Sequence, residues 1–393
     1  MQLLRAGLFV LTLSFVAVFA GCGGNPEPSN NNGNANPNPG GANNPPSASS
    51  CPQVTSAISQ GPMTGVAPMP PAAPIPAPQP GTTAAGSVCV SSPANGASVS
   101  SPAHIVASTT MKNIAYMRVY VDDSPQQFTF WNTLDSLVFM SPGTHTVVIV
   151  ATDKSGNNAS TSFSLNVASA QPYTIADIQK IPNWEFCSAL FPAGHPRAGQ
   201  LCAAGLGNAE STMTENQSTP SMSGASAKLT IGGPKGYSNA LWTKFLGGGS
   251  FPTRFTYDMY FMIDNPDLPQ ALEFDVNQAF NNRRWVFGTE CNFRGSGKWD
   301  VWDGNLGWQP TNVPCVPFPA NTWIHLVWEF ERVDNQVHYI SVTVADKKYP
   351  LDLYYSNEPV WTMESIDVAF QMDGNFAQQP YNVWLDKVNL TVQ

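Results

Sequence analysis

The chain has 393 residues, a formal net charge of −9 and only 11% charged residues. That length suggests two or three domains, and an acidic balance with no Lys/Arg run argues against a nucleic-acid partner. Low charge together with abundant Thr, Ser, Asn, Gly, Val and aromatic residues points to an exported, all-β protein.

In chain order, the first element is a short basic start ending at Arg5, followed by the uncharged run Ala6 to Ala20. About 15 apolar residues are too few to span a bilayer, where roughly 20 are needed. The pattern predicts a secretory signal. The run closes on Phe19-Ala20-Gly21-Cys22, and small residues before a cysteine resemble the lipobox of bacterial lipoproteins. The resemblance implies removal of residues 1–21, acylation of Cys22 and a membrane anchor through the lipid. Phe19 stands where a Leu is usual, and Gly23 is not the Asp of inner-membrane retention, which implies the outer membrane or the cell surface. The alternative is an ordinary cleaved signal with Cys22 incidental. The chain has seven cysteines. With Cys22 acylated, six remain as disulfide candidates in an exported protein: Cys51, Cys89, Cys187, Cys202, Cys291 and Cys315.

Residues 22–86 read as a disordered tether. Glu27 is its only charged residue, it has no aromatic, and it passes from Asn/Gly-rich to Pro/Ala-rich. Such a segment buries too little apolar surface to offset its ordering entropy.

Residues 87–168 read as a small β-sandwich. Met117–Asp122, Thr144–Ala151 and Ser162–Val167 alternate with period two, separated by turn signals such as Ser141-Pro142-Gly143. Several short strands with regular turns predict an Ig-like sandwich, and the run from Gly143 to Asn158 resembles the later strands of bacterial Ig-like repeats.

Residues 170–393 hold ten of the eleven tryptophans. The part up to about Tyr237 reads as irregular, with a short disulfide between Cys187 and Cys202 as one option. Strands are predicted over 254–263, 271–278, 284–289, 323–333, 337–345, 365–372 and 382–392, with no helix period of useful length. One all-β unit of this size predicts a jelly-roll sandwich. Four segments, Phe255–Tyr260, Glu273-Phe274-Asp275, Trp323–Leu326 and Val383–Val388, resemble the concanavalin A-like lectin/glucanase superfamily over roughly residues 235–393.

Glu273-Phe274-Asp275-Val276-Asn277-Gln278 resembles the catalytic strand of laminarinase- and lichenase-type glucanases, Glu-x-Asp-x-Glu or Glu-x-Asp-x-x-Glu. The resemblance implies a nucleophile at Glu273 and a tuning carboxyl at Asp275. On a strand, residues 273, 275 and 277 share a face, and a bulge would bring 278 round. Asn277 and Gln278 cannot give and take back a proton as a carboxyl does. The acid/base is therefore missing unless a distant group such as Glu290, Glu329 or Asp373 supplies it. The plainer reading is that Glu273 and Asp275 line a polar binding face.

The stretch from Cys291 to Cys315 reads as a Gly-rich loop, pinned if these two cysteines pair. It carries Trp299, Trp302 and Trp308 beside Asp300, Asp303 and Asn305. Flat indoles suit the C–H faces of sugar rings, and the polar groups suit their hydroxyls. The competing reading for each tryptophan is packing against the sandwich. Asp300, Asp303 and Asn305 also offer clustered oxygens to calcium, although the spacing departs from the EF-hand. No zinc spacing, P-loop or serine-nucleophile elbow is present, so no metal, cofactor or nucleotide is expected beyond that calcium option.

These residues give three functional expectations. The first is a surface-anchored lipoprotein that binds a polysaccharide without catalysis through Trp299, Trp302, Trp308, Gln278, Asp300 and Asp303, with Glu273 and Asp275 on the same face. The second is a glycoside hydrolase or lyase using Glu273. The third is a structural or adhesive envelope protein.

Overall fold

The computed structural model describes residues 86–193, 198–199, 202–203, 205–358 and 364–393. The expected signal segment, Cys22, the tether up to residue 85 and Cys51 lie outside the described residues. The described chain is all-β. Among the described residues no helix is long and apolar enough to cross a membrane.

The first strands in chain order are β1 (Val88–Ser92), β2 (Ala97–Ser101), β3 (Ala103–Thr109), β4 (Ile114–Val121), β5 (Ser124–Thr129), β6 (Thr133–Val138), β7 (Gly143–Asp153) and β8 (Asn158–Ala170). Strands β2-β8-β7-β4-β5 form one sheet, and β1-β3-β6 run side by side in another. Alternate residues point inward, as the period of two demands. Ile105, Met117, Val119, Val147, Ile149 and Leu165 are fully buried in a core of their own.

The second group is β9 (Tyr173–Ile175), β10 (Glu185–Cys187), β11 (Glu210–Gln217), β12 (Ser226–Gly232), β13 (Asn239–Gly248), β14 (Arg254–Ile263), β15 (Pro269–Phe280), β16 (Arg283–Phe287), β17 (Thr289–Cys291), β18 (Lys298–Asp303), β19 (Gly307–Pro314), β20 (Ile324–Val333), β21 (Gln336–Val344), β22 (Lys347–Ser356), β23 (Ser365–Gly374) and β24 (Tyr381–Val392). One sheet has the order β11-β12-β24-β14-β20-β21-β22, with β9 on β24. The other continues β13-β23-β15-β17-β18-β19, with β10 on β13 and β16 on β15. An aromatic core lies between them: Trp242 stacks on Phe370, Phe274 meets Phe370 at 5.2 Å, and Trp299 meets Trp328 edge-on at 5.7 Å.

The two sandwiches share a sheet. β6 pairs in parallel with β13, Leu137 opposite Gly247 and Val138 opposite Gly248. A Cβ on Gly248 would fall 2.0 Å from the Gln126 carbonyl oxygen, so this approach needs glycine. Arg118 and Glu364, each 2% exposed, form a buried ion pair at 3.3 Å between the two strand groups.

Two sequence expectations need correction. The segment before Tyr237 is not irregular, since it contains β11 and β12. Strand β11 carries Thr, Ser, Glu and Asn at the sheet edge and alternates exposed with half-buried, so no apolar rhythm marks it. The stretch between Cys291 and Cys315 is not an open loop but the hairpin β18–β19, closed by a disulfide with a Cα–Cα distance of 5.4 Å. Cys187 and Cys202 also pair.

Candidate functional site: an acidic cleft with two tryptophans

Strand alternation separates core from cleft on the same strands. On β15, Phe274 and Val276 point into the core and Glu273, Asp275 and Asn277 point the other way. On β23, Val368 and Phe370 face the core, while Asp367, Ala369 and Gln371 face the cleft. The register places these side chains in rows. Leu241, Gln371, Glu273, Glu290 and Asp300 follow one another across β13, β23, β15, β17 and β18. The next rows are Thr243–Ala369–Asp275 and Phe245–Asp367–Asn277–Val286. The cleft over these rows has a volume of about 430 Å³.

Trp302 and Trp308, opposite each other on β18 and β19, form one wall. Their rings meet edge-on at 5.2 Å and 76°. Gly288 allows them down onto the sheet, since a Cβ there would lie 2.9 Å from the Trp302 Cβ and 3.4 Å from the Trp308 ring. Glu358 holds this wall in place. Its carboxylate accepts from Trp302 Nε1 at 2.9 Å and from Arg284 Nε at 2.9 Å.

The sheet face under and beside the cleft is rich in carboxyls, of which Glu273, Asp275 and Asp367 line it. Asp275 accepts from the Thr289 backbone N–H at 3.0 Å. Asp367 accepts from Asn277 Nδ2 at 2.9 Å and Ser365 Oγ at 2.9 Å. Gln371 donates to Glu273 and to Asp373, and Asn292 bridges Glu290 and Asp300 at 3.0 Å each. Burial disfavours the charged form of Glu273, Asp275, Glu290, Asp367 and Asp373. It holds Glu273 well above the usual carboxylate range, reinforced by the neighbouring acids Asp373, Asp275 and Glu290. Burial, then Asp373 and Asp300, push Glu290 up to about 9. Burial raises Asp373 to about 7. It raises Asp275 to about 7 against the Thr289 N–H, and Asp367 to about 6 against the bonds from Asn277 and Ser365.

The residues singled out from sequence divide sharply. Glu273, Asp275, Trp302 and Trp308 line one cleft. Trp299 does not: it is 0% exposed and packs against Phe274 and Trp328, because odd positions of β18 face the core. Gln278 is also turned away. The β15 register with β16 and β23 runs through it without a bulge, so it is buried opposite Glu273. There its Nε2 donates to the Gly249 and Pro252 carbonyls, and its Oε1 accepts from Arg332.

Asp300 is buried and accepts from Ser296 and Asn292. Asp303 caps its own turn, accepting from the Asn305 and Leu306 N–H groups. On a strand, Asp300 and Asp303 take opposite faces, so the calcium set expected from them is not assembled. The acids that do converge are Glu273, Glu290 and Asp373, one oxygen of each lying within 4.8 Å of the others. These three could hold a cation, but the acidic set by itself assigns no ion. Sequence reasoning missed Arg284, Glu358, Asp367 and Gln371 as cleft residues. The alternation of Ile366, Val368 and Phe370 with Asp367 and Gln371 was the available signal.

No family model and no curated protein matches this chain. Solved structures resemble it distantly. They include carbohydrate-binding modules of the β-sandwich superfamily (14% identity, TM-score 0.27, covering 77% of this chain and 96% of that one). A carbohydrate esterase of Shiga toxin-encoding bacteriophage phi24B matches at 11% identity and TM-score 0.31, covering 47% of this chain and 90% of that one. Arcelin-5, a lectin-like defence protein of Phaseolus vulgaris, matches at 10% identity and TM-score 0.29, covering 56% and 98%. Likenesses at this level carry no function, and the chemistry of the cleft rests on its own residues.

Proposed function

We propose that this protein is a lipid-anchored bacterial surface protein that binds a glycan chain in the Trp302–Asp367 cleft without cleaving it, carried on an Ig-like sandwich and a tether. The observation that carries the reading is the pairing of Trp302 and Trp308 on one wall with a floor of hydrogen-bonding groups, Thr243, Asn277, Asp367 and Gln371, in one cleft. Indole faces supply apolar contact for sugar rings, and fixed amides, hydroxyls and carboxyls orient their hydroxyls. Retention of the full chain on a panel of immobilised polysaccharides tests it. Retention on at least one, lost in Trp302→Ala/Trp308→Ala, is expected. No retention on any of them, or retention indifferent to both substitutions, sinks it.

One observation favours a second reading, a retaining glycoside hydrolase. Glu273 has the carboxyl neighbours Glu290 and Asp373 within 4.8 Å, and retaining chemistry needs two carboxyls roughly 5–5.5 Å apart. Against it, Glu290 and Asp373 are not among the lining residues of the cleft. Burial also raises Glu273 well above the usual range and Glu290 to about 9, which disfavours an ionised nucleophile in that pair. Release of reducing ends from any polysaccharide, abolished by Glu273→Gln, would decide for hydrolysis.

A further inference from the structure

The charge of the cleft narrows the class of glycan. Its lining includes Asp275 and Asp367, raised by burial to about 7 and about 6 and so at least partly ionised at neutral pH, besides Glu358 and Glu273, where burial favours the acid form of Glu273; among the described residues Arg284 is the one lining cation. That cation is already committed, because its guanidinium donates twice to Glu358. The hydrogen-bond partners of Asp275 and Asp367 are neutral, a backbone N–H, an amide and a hydroxyl, and the one positive charge that acts on both, Arg284, is shared with Glu358. The same cleft holds two indoles, and indole π faces attract cations. A uronic-acid or sulfated polymer would bring negative charge onto this floor, and like charges at close range cost several kcal/mol. An ammonium would meet carboxylates and indoles together.

Resting on the glycan-binding reading above, we propose that the cleft selects glycans carrying free amino groups, of the glucosamine-polymer class, over N-acetylated and uronic-acid polymers. Acetylation removes the charge that the floor recognises, so the selectivity resides in the substituent on the sugar nitrogen rather than in the ring.

Calorimetric titration of the full chain near neutral pH with a glucosamine tetramer, its N-acetylated counterpart and a galacturonate tetramer tests this. The glucosamine tetramer is expected to bind at least about tenfold tighter than the acetylated one, with galacturonate weakest. Added salt should shrink that advantage, since it screens the charge contribution. The ratio of the two affinities should fall severalfold in Asp367→Asn and in Asp275→Asn. If Asp275→Asn does not fold, Asp367→Asn and the salt series on the unaltered chain carry the test. Equal or tighter binding of the acetylated or galacturonate tetramer overturns the selectivity and leaves glycan binding standing. Tetralysine binding in place of the glucosamine tetramer overturns it in favour of a basic peptide. Failure of the glucosamine tetramer to bind overturns it as well, while the polysaccharide panel separately judges whether any glycan is bound.

Discussion

The cleft face and the outer face of the second sandwich both carry carboxylates, and they hold them by opposite means. On the outer sheet, His325 bridges Asp258 and Asp346 at 2.9 and 3.0 Å, His338 reaches Asp352 at 3.0 Å, and Lys348 pairs with Glu329. Tyr260 and Tyr354 stack on the two histidines at 4.5 and 4.0 Å. Each of these acids has a basic partner on the same surface. On the cleft face, Glu273, Asp275, Asp367 and Asp373 sit among amides, hydroxyls and one another, and burial drives their acidities down. A surface whose charges are already matched gains little from a ligand. A recessed one whose acids have mostly neutral partners, beside two indoles, is where the proposed ligand would gain most.

The largest expected effect tests which tryptophans belong to the cleft at all. Trp299→Ala should cost about 3–5 kcal/mol of stability, measured by denaturant unfolding, because it empties a core site. A loss below about 1 kcal/mol would mean that Trp299 is not the core residue described. Next, Trp302→Ala and Trp308→Ala should each weaken glycan retention by roughly tenfold while changing stability far less than Trp299→Ala. Equal losses of stability and binding would erase the distinction between wall and core.

The third concerns pH. Glu290 is held at about 9 in the fold by burial and by Asp373 and Asp300. Between the ordinary carboxylate range and about 9, the folded state keeps a proton that the unfolded chain has released, so stability falls as pH rises through that window. Glu290→Gln should flatten the fall across that window by up to about 1 kcal/mol per pH unit, seen as unfolding midpoints across pH. An unchanged slope would show that Glu290 ionises normally. The outer face supplies a contrast. Lys348 and Ser341 hold Glu329 below the usual range against the cost of burial, so its contribution is present above the ordinary carboxylate range and is lost as pH falls through the lowered value. The smallest effect is the control. Tyr354→Ala, 47% exposed on the outer face, should change stability by less than about 0.5 kcal/mol and leave glycan retention intact. Loss of retention there would move the site to the other sheet.

Strands that alternate apolar with polar residues are legible in the sequence alone. Strand β14 runs over Arg254–Ile263 as the alternation predicts, because Phe255, Tyr257, Met259 and Phe261 each bury against the core. Strand β11 is not legible, because its alternation is between exposed and half-buried polar groups. Glu273 and Asp275 are recognisable as one face by parity alone. Gln278 requires the register, since only a bulge would turn it toward them and none occurs there.

The sequence by itself determined the all-β character and which residues of a given strand share a face, because both follow from a period of two along the chain. Only the tertiary structure decided which strands lie side by side. β23, about a hundred residues after β15, inserts between it and β13, and brings Asp367, Gln371 and Asp373 against Asp275 and Glu273. Neighbours across a sheet are set by strand order and register, which no local spacing encodes. Trp302 and Trp299, three residues apart, fall on opposite faces by parity alone, and only the neighbouring strands decided that Trp299 faces the core and Trp302 the cleft.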